Sequence, residues 1–109
     1  VNAHRLAEER SLALHRRIAD RLVEDPAVLV RARARVQGWI ETGNVASYWA
    51  QEWDAVLSRS VDEIRALLVD ESEYARALRQ LTPFAGVVDP RTRWRIWREV
   101  RAALEGNHR

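Results

Sequence analysis

The chain has 109 residues, of which 47% are hydrophobic and 31% charged, with a formal net charge of +2 and no cysteine. That is sequence for one domain able to bury a core unaided. The missing thiols exclude a disulfide framework, a thiolate metal site and a cysteine nucleophile, and the near balance of charge leaves no overall basic field that would by itself draw nucleic acid.

The first helix is predicted over His4 to Glu24, where Ala7, Ser11, Leu14, Ile18 and Leu22 share one face and Leu12, Ala19 and Val23 widen it. Arg10, Arg16, Arg17, Asp20 and Arg21 fall opposite, toward solvent. Asp25-Pro26 ends that helix and opens the next, with Asp as N-cap and Pro at the first helical position. The second helix carries Val28, Ala32, Val36, Trp39 and Ile40 on its inner side and stops near Gly43-Asn44. A third fits Ala46 to Leu57, with Trp49, Trp53, Val56 and Leu57 forming its core stripe. Two capping boxes, Ser60-x-x-Glu63 and Asp70-x-x-Glu73, open two short helices. One buries Ile64, Leu67 and Leu68, the other Tyr74, Ala75, Leu78 and Leu81. Asp89-Pro90 launches the last helix, with Ile96, Trp97, Val100 and Leu104 inward and Gly106 as terminator. No segment alternates as a strand would, so the expected fold is all-α, a single-domain bundle of five or six helices with short turns.

Between the fifth and last helices runs LTPFAGVVD, Leu81 to Asp89, with a single charge. Thr82-Pro83 must end the fifth helix, because the residue before proline avoids the α region and proline has no amide donor. Gly86 supplies a turn conformation that a Cβ would forbid. Phe84, Val87 and Val88 therefore have no helical face to join, and they form the candidate partner-binding set. Phe84 is the member expected in the core, and Val87 and Val88 are those expected to meet a partner.

All 18 basic residues are Arg and none is Lys. An Arg-biased codon usage explains this blandly; the functional alternative is that Arg forks suit carboxylates, phosphates and aromatic rings. Either way, Schiff-base and lysine general-base chemistry is absent. The last helix is the candidate nucleic-acid-binding element. Arg91, Arg95 and Arg98 share a face flanked by Trp94 and Arg101, able to place guanidiniums on phosphates and an indole against a base. Glu99 and Glu105 dilute that charge, and a solvated or ion-paired face is the alternative. Trp39, Trp49, Trp53 and Trp97 fall on apolar faces, whereas Trp94 does not.

His15 lies on the apolar side of the first helix, as a core or rim histidine would. With Arg10 it makes an Arg-x4-His spacing resembling that of small helical ribonucleases of the HEPN group. The two directions differ by roughly 140° on a regular helix, and Arg101 with His108 fits the same loose pattern. His4, His15 and His108 supply no zinc-like spacing, and His4 with Glu8 is a simple helical pair. Carboxylate pairs such as Glu8-Glu9, Asp62-Glu63 and Asp70-Glu71 sit where capping and dipole effects explain them. No Gly-rich phosphate loop or nucleophile motif is present, so neither an enzyme nor a cofactor or metal site is expected. No run reaches the roughly 18 apolar residues of a membrane span. The opening VNAHRLAEERS has no apolar core of a signal peptide, and a cytoplasmic location is expected.

LHRRIADRL (Leu14 to Leu22), DPAVLVRARARV (Asp25 to Val36), EWDAVL (Glu52 to Leu57) and ARALRQLTPFAGVVDPRTRWRIW (Ala75 to Trp97) together resemble the helical region of bacterial Xre-like helix-turn-helix proteins of unassigned role found in toxin-antitoxin-like operons. The resemblance covers most of the chain, and LRQLTPFAGVV is its most specific part. In that family a DNA-binding domain precedes the helical region. A chain without that domain is expected here, so its DNA recognition is not carried over. The resemblance implies an interaction role, as a homodimer or with a protein encoded nearby such as a toxin. Nucleic-acid binding through the last helix is the alternative.

Overall fold

Asn2 starts the first helix by accepting the Arg5 N–H on its side-chain oxygen at 2.7 Å, an N-cap bond. The computed structural model describes residues 2–106. Within them lie six helices, α1 (Ala3–Glu24), α2 (Ala27–Thr42), α3 (Ser47–Leu57), α4 (Val61–Leu68), α5 (Glu73–Gln80) and α6 (Pro90–Gly106), and no strand. The fold is an all-α bundle, as the period of the apolar positions predicts. Among the described residues no helix is long and apolar enough to cross a membrane.

Local chemistry fixes most boundaries. The Asp25 carboxylate accepts the Ala27 N–H at 3.0 Å to open α2, and Gly43, at φ 71°, closes it by donating to the Trp39 carbonyl at 2.9 Å. The Ser60 hydroxyl accepts from Glu63 N–H at 3.2 Å and donates to its carboxylate at 3.0 Å. At α5 the expected cap moves. Ser72 accepts from Ala75 N–H at 3.2 Å, while Asp70 stands upstream and accepts from Ser72 N–H at 3.3 Å. Arg79 explains the shift: its Nη1 donates to the carbonyls of Leu68 at 3.2 Å and Asp70 at 2.6 Å, holding residues 69–71 out of the helix. Asp89 launches α6 by accepting the Thr92 N–H at 2.9 Å and its hydroxyl at 2.7 Å.

Helix α1 is the spine, touched by α2, α4, α5 and α6, with α3 laid on α2. The molecule is long for its size, 48 × 29 × 24 Å. Its core joins Ile18 and Leu22 of α1, Val28 and Val36 of α2, Trp53 and Leu57 of α3, Ile64 and Leu68 of α4, and Leu78 of α5. The buried stripe of α1 is narrower than predicted: Ala7 and Val23 are exposed, and His15 is buried with Leu12, Ala19 and Leu22. Ile40 and Leu81 are also exposed, each one residue or two from the end of its helix, where neighbours run out. Leu29 and Ala50 are buried beyond the predicted faces.

Arginine supplies much of the cross-bracing. Arg33 Nε donates to the Leu57 carbonyl at 3.0 Å, Arg65 Nε to Ala19 at 2.9 Å and Arg35 Nη1 to Ala85 at 3.1 Å. Leu57 and Leu68 end their helices, so Arg33 and Arg79 satisfy carbonyls that have no partner within the helix. Arg10, predicted in solvent, is instead half-buried against α6. Its guanidinium lies 5.5 Å from the Trp97 ring centroid and that of Arg93 lies 5.4 Å away, a cation–π contact docking α6 on α1.

Candidate functional site

The segment after α5 folds back on itself. Val87 N–H donates to the Phe84 carbonyl at 3.2 Å, and Gly86 has φ 85°, the left-handed third position that a type II turn requires. This turn puts Ala85 and Gly86 outside and sends Phe84 and Val88 inward. Phe84 meets Trp53 edge to face, centroids 6.0 Å apart and planes at 74°. The predicted partner set is thereby corrected. Phe84 is in the core as expected, but Val88 is buried as well and Val87 is half-buried against the same cluster, so Phe84 and Val88 are closed to a partner. The reason is the turn, which supplies an inward face that helical periodicity does not reveal.

His15 anchors that turn to α1. Its Nδ1 lies 2.7 Å from the Ser11 carbonyl, which can only accept, so Nδ1 carries the proton. Nε2, 2.9 Å from the Thr82 hydroxyl, then accepts from it, and Thr82 Oγ1 in turn accepts the Phe84 N–H at 3.2 Å. Burial pushes the imidazole pKa down to about 4 from its ordinary 6.5, against the raising effect of the Ser11 bond, and the nearby Arg79 charge lowers it further. Both ring nitrogens are engaged. No hydrogen bond joins Arg10 to His15 among the described residues, and the Arg10 guanidinium lies over Trp97 instead. His108 lies outside the described residues.

The outer face of α6 is where predicted residues do assemble. Arg91, Trp94, Arg95 and Arg98 are all exposed, Trp94 to 60%. Among the described residues, none of these three arginines makes a salt bridge; Arg101 instead pairs with Glu105 at 3.0 Å. By contrast, Arg17 and Arg21 of α1 are tied to Glu24 and Asp25 at 3.3–3.6 Å. Of the predicted inward residues of α6, Leu104 is buried, while Ile96, Trp97 and Val100 are half-buried, because the helix packs chiefly on α1.

A second feature escapes the sequence reading. Arg79 is only 5% exposed and borders a groove of about 310 Å³ between the start of α1 and α5, with Arg76, Glu8, His4, Ser11 and Gln80. Its placement was legible, since it follows Ala75 and Leu78 at helical spacing on the inner stripe. Among the described residues no three His, Asp or Glu gather as metal ligands would. No protein-family model matches the chain, and no curated protein or solved structure matches it either.

Proposed function

We propose that the chain is a cytoplasmic helical interaction module that docks an acidic protein surface through the outer face of α6. One observation carries this reading: a 60% exposed Trp94 stands among Arg91, Arg95 and Arg98, which have no carboxylate partner among the described residues. Trp and Arg are the residues on which binding energy concentrates at protein interfaces, and exposed indole has no folding reason to stay in water. The resemblance to the helical region of Xre-like proteins supports an antitoxin-like role with a partner encoded nearby. Self-association through this face is disfavoured, because it would oppose like charges across the contact.

The test is light scattering of the purified protein together with pull-down using the products of adjacent genes. A complex is expected that Trp94→Ala weakens by about 30-fold, the effect of a hot-spot residue. A monodisperse monomer that retains no such product refutes the reading.

The unpaired guanidiniums also support nucleic-acid binding as a second reading, with the indole stacked on a base. Titration with single-stranded and duplex oligonucleotides separates the two. Affinity that falls steeply with added salt and is lost in Arg95→Glu supports the second; affinity indifferent to salt removes it.

A further inference from the structure

From Arg79 and its surroundings we infer that the groove between the first half of α1 and α5 binds a small oxyanion, a carboxylate or phosphate group, held by Arg76 and Arg79. The inference is independent of the α6 surface.

Arg79 as a whole residue is only 5% exposed, so its charge is partly withdrawn from water. Such charges are normally paired with an opposite charge. Arg79 has no carboxylate within salt-bridge range among the described residues; its bonds, both from Nη1, go to the neutral carbonyls of Leu68 and Asp70. These hold the α4–α5 corner and occupy one corner of the fork. Nε and Nη2 remain, and the side chain borders the groove. Guanidinium presents paired donors in a planar array that matches two oxygens of a carboxylate or phosphate.

The rest of the wall fits the same chemistry. Arg76 is one helical turn before Arg79, is exposed and makes no salt bridge among the described residues, so two guanidiniums flank one opening. Gln80 and the Ser11 hydroxyl add neutral donors at its border. Glu8 is the one carboxylate in the wall, and His4 Nε2 lies 3.1 Å from it. Within the wall itself two guanidiniums face one carboxylate, while Asp70 and Glu71 also stand close enough to act on the Arg79 charge. Its volume of about 310 Å³ is at the small end of ligand sites, suited to a small anion and too small for a polymer.

The experiment is an amide-resolved NMR titration of the full chain at fixed ionic strength, replacing chloride in one series by inorganic phosphate and in another by acetate. Saturable shifts confined to residues 4–11 and 76–80 are expected in at least one series, and which series saturates identifies the anion. Arg76→Ala, a change at an exposed position, should weaken binding about tenfold, the loss of a charge-assisted hydrogen bond. Glu8→Gln should tighten it by removing the repelling carboxylate. The inference is overturned if neither anion gives a saturable shift, if the shifts follow the α6 arginines instead, or if Arg76→Ala and Glu8→Gln both leave the affinity unchanged.

Discussion

Acidifying the protein from about pH 7 to about pH 5 should cost about 2 kcal/mol of folding stability through one side chain, His15. The imidazole is buried, its Nδ1–H given to the Ser11 carbonyl and its Nε2 receiving the Thr82 hydroxyl, so the native state holds the neutral form. Burial keeps its pKa at about 4, below the ordinary 6.5 that it recovers on unfolding. The unfolded chain therefore takes up a proton that the folded chain refuses. This contribution is complete above about pH 6.5, declines as the pH falls, and is exhausted below about pH 4. The whole interval corresponds to about 3.5 kcal/mol at about 1.4 kcal/mol per pKa unit, and rather more than half of it, about 2 kcal/mol, is lost by pH 5. Asp70, bonded by the Ser72 hydroxyl, and Asp89, bonded by the Thr92 amide, are both held below the usual carboxylate range and titrate beneath this window. Urea unfolding followed by tryptophan fluorescence measures the change as a midpoint shift of about 1 M, for a slope of about 2 kcal/mol/M. His15→Gln removes the titrating group and should flatten the difference between the two pH values. A wild-type midpoint equal at both, or a variant that keeps the full difference, would refute the account of His15.

Two further outcomes test the packing. Phe84→Ala should cost about 3–5 kcal/mol, the range for emptying a buried aromatic site, and lower Tm by more than about 10 °C in a calorimetric scan; a cost under about 1 kcal/mol would return Phe84 to the partner-facing set. Trp97→Ala removes the ring shared by Arg10 and Arg93 and should loosen α6 selectively. Hydrogen exchange is expected to accelerate across α6 while the core of α1 to α4 stays protected, and uniform acceleration throughout would show that α6 is integral to one cooperative unit.

What the sequence made legible is what repeats locally. Ile18 and Leu22, Val28 and Val36, Trp53 and Leu57, and Ile64 and Leu68 fall inside because helical spacing places them there, and Asp25 and Asp89 act at helix starts because the next residue is proline. What it hid depends on contacts remote in the chain. His15 meets Thr82 across 67 positions and Arg65 meets the Ala19 carbonyl across 46, and no local pattern encodes either. Val88 belongs to no helical face, yet the turn that Gly86 permits gives it an inward one. At the candidate surfaces the outcome divides in the same way. The face of α6 follows from its period, whereas the groove at Arg79 needs α1 and α5 brought side by side.

The arginines of this chain do not form one population. If Arg stood in for Lys only through codon usage, its side chains would be interchangeable solvating charges. Several are not: Arg33, Arg35, Arg65 and Arg79 bond main-chain carbonyls, Arg10 and Arg93 lie over Trp97, and Arg17, Arg21 and Arg101 pair with carboxylates. Carbonyl bonding from Nε and ring stacking use the planar fork, which an ammonium lacks. The turn Leu81 to Asp89 is held from within, by His15 on Thr82 and Trp53 on Phe84, and this accounts for its apolar character without a partner. Arg91, Arg95 and Arg98 have no such internal task among the described residues, and the exposed indole beside them has none either. Under the proposed docking role, charge reversal at Arg95 should leave folding unchanged and weaken docking, whereas the same change at Arg79 should unfasten the α4–α5 corner.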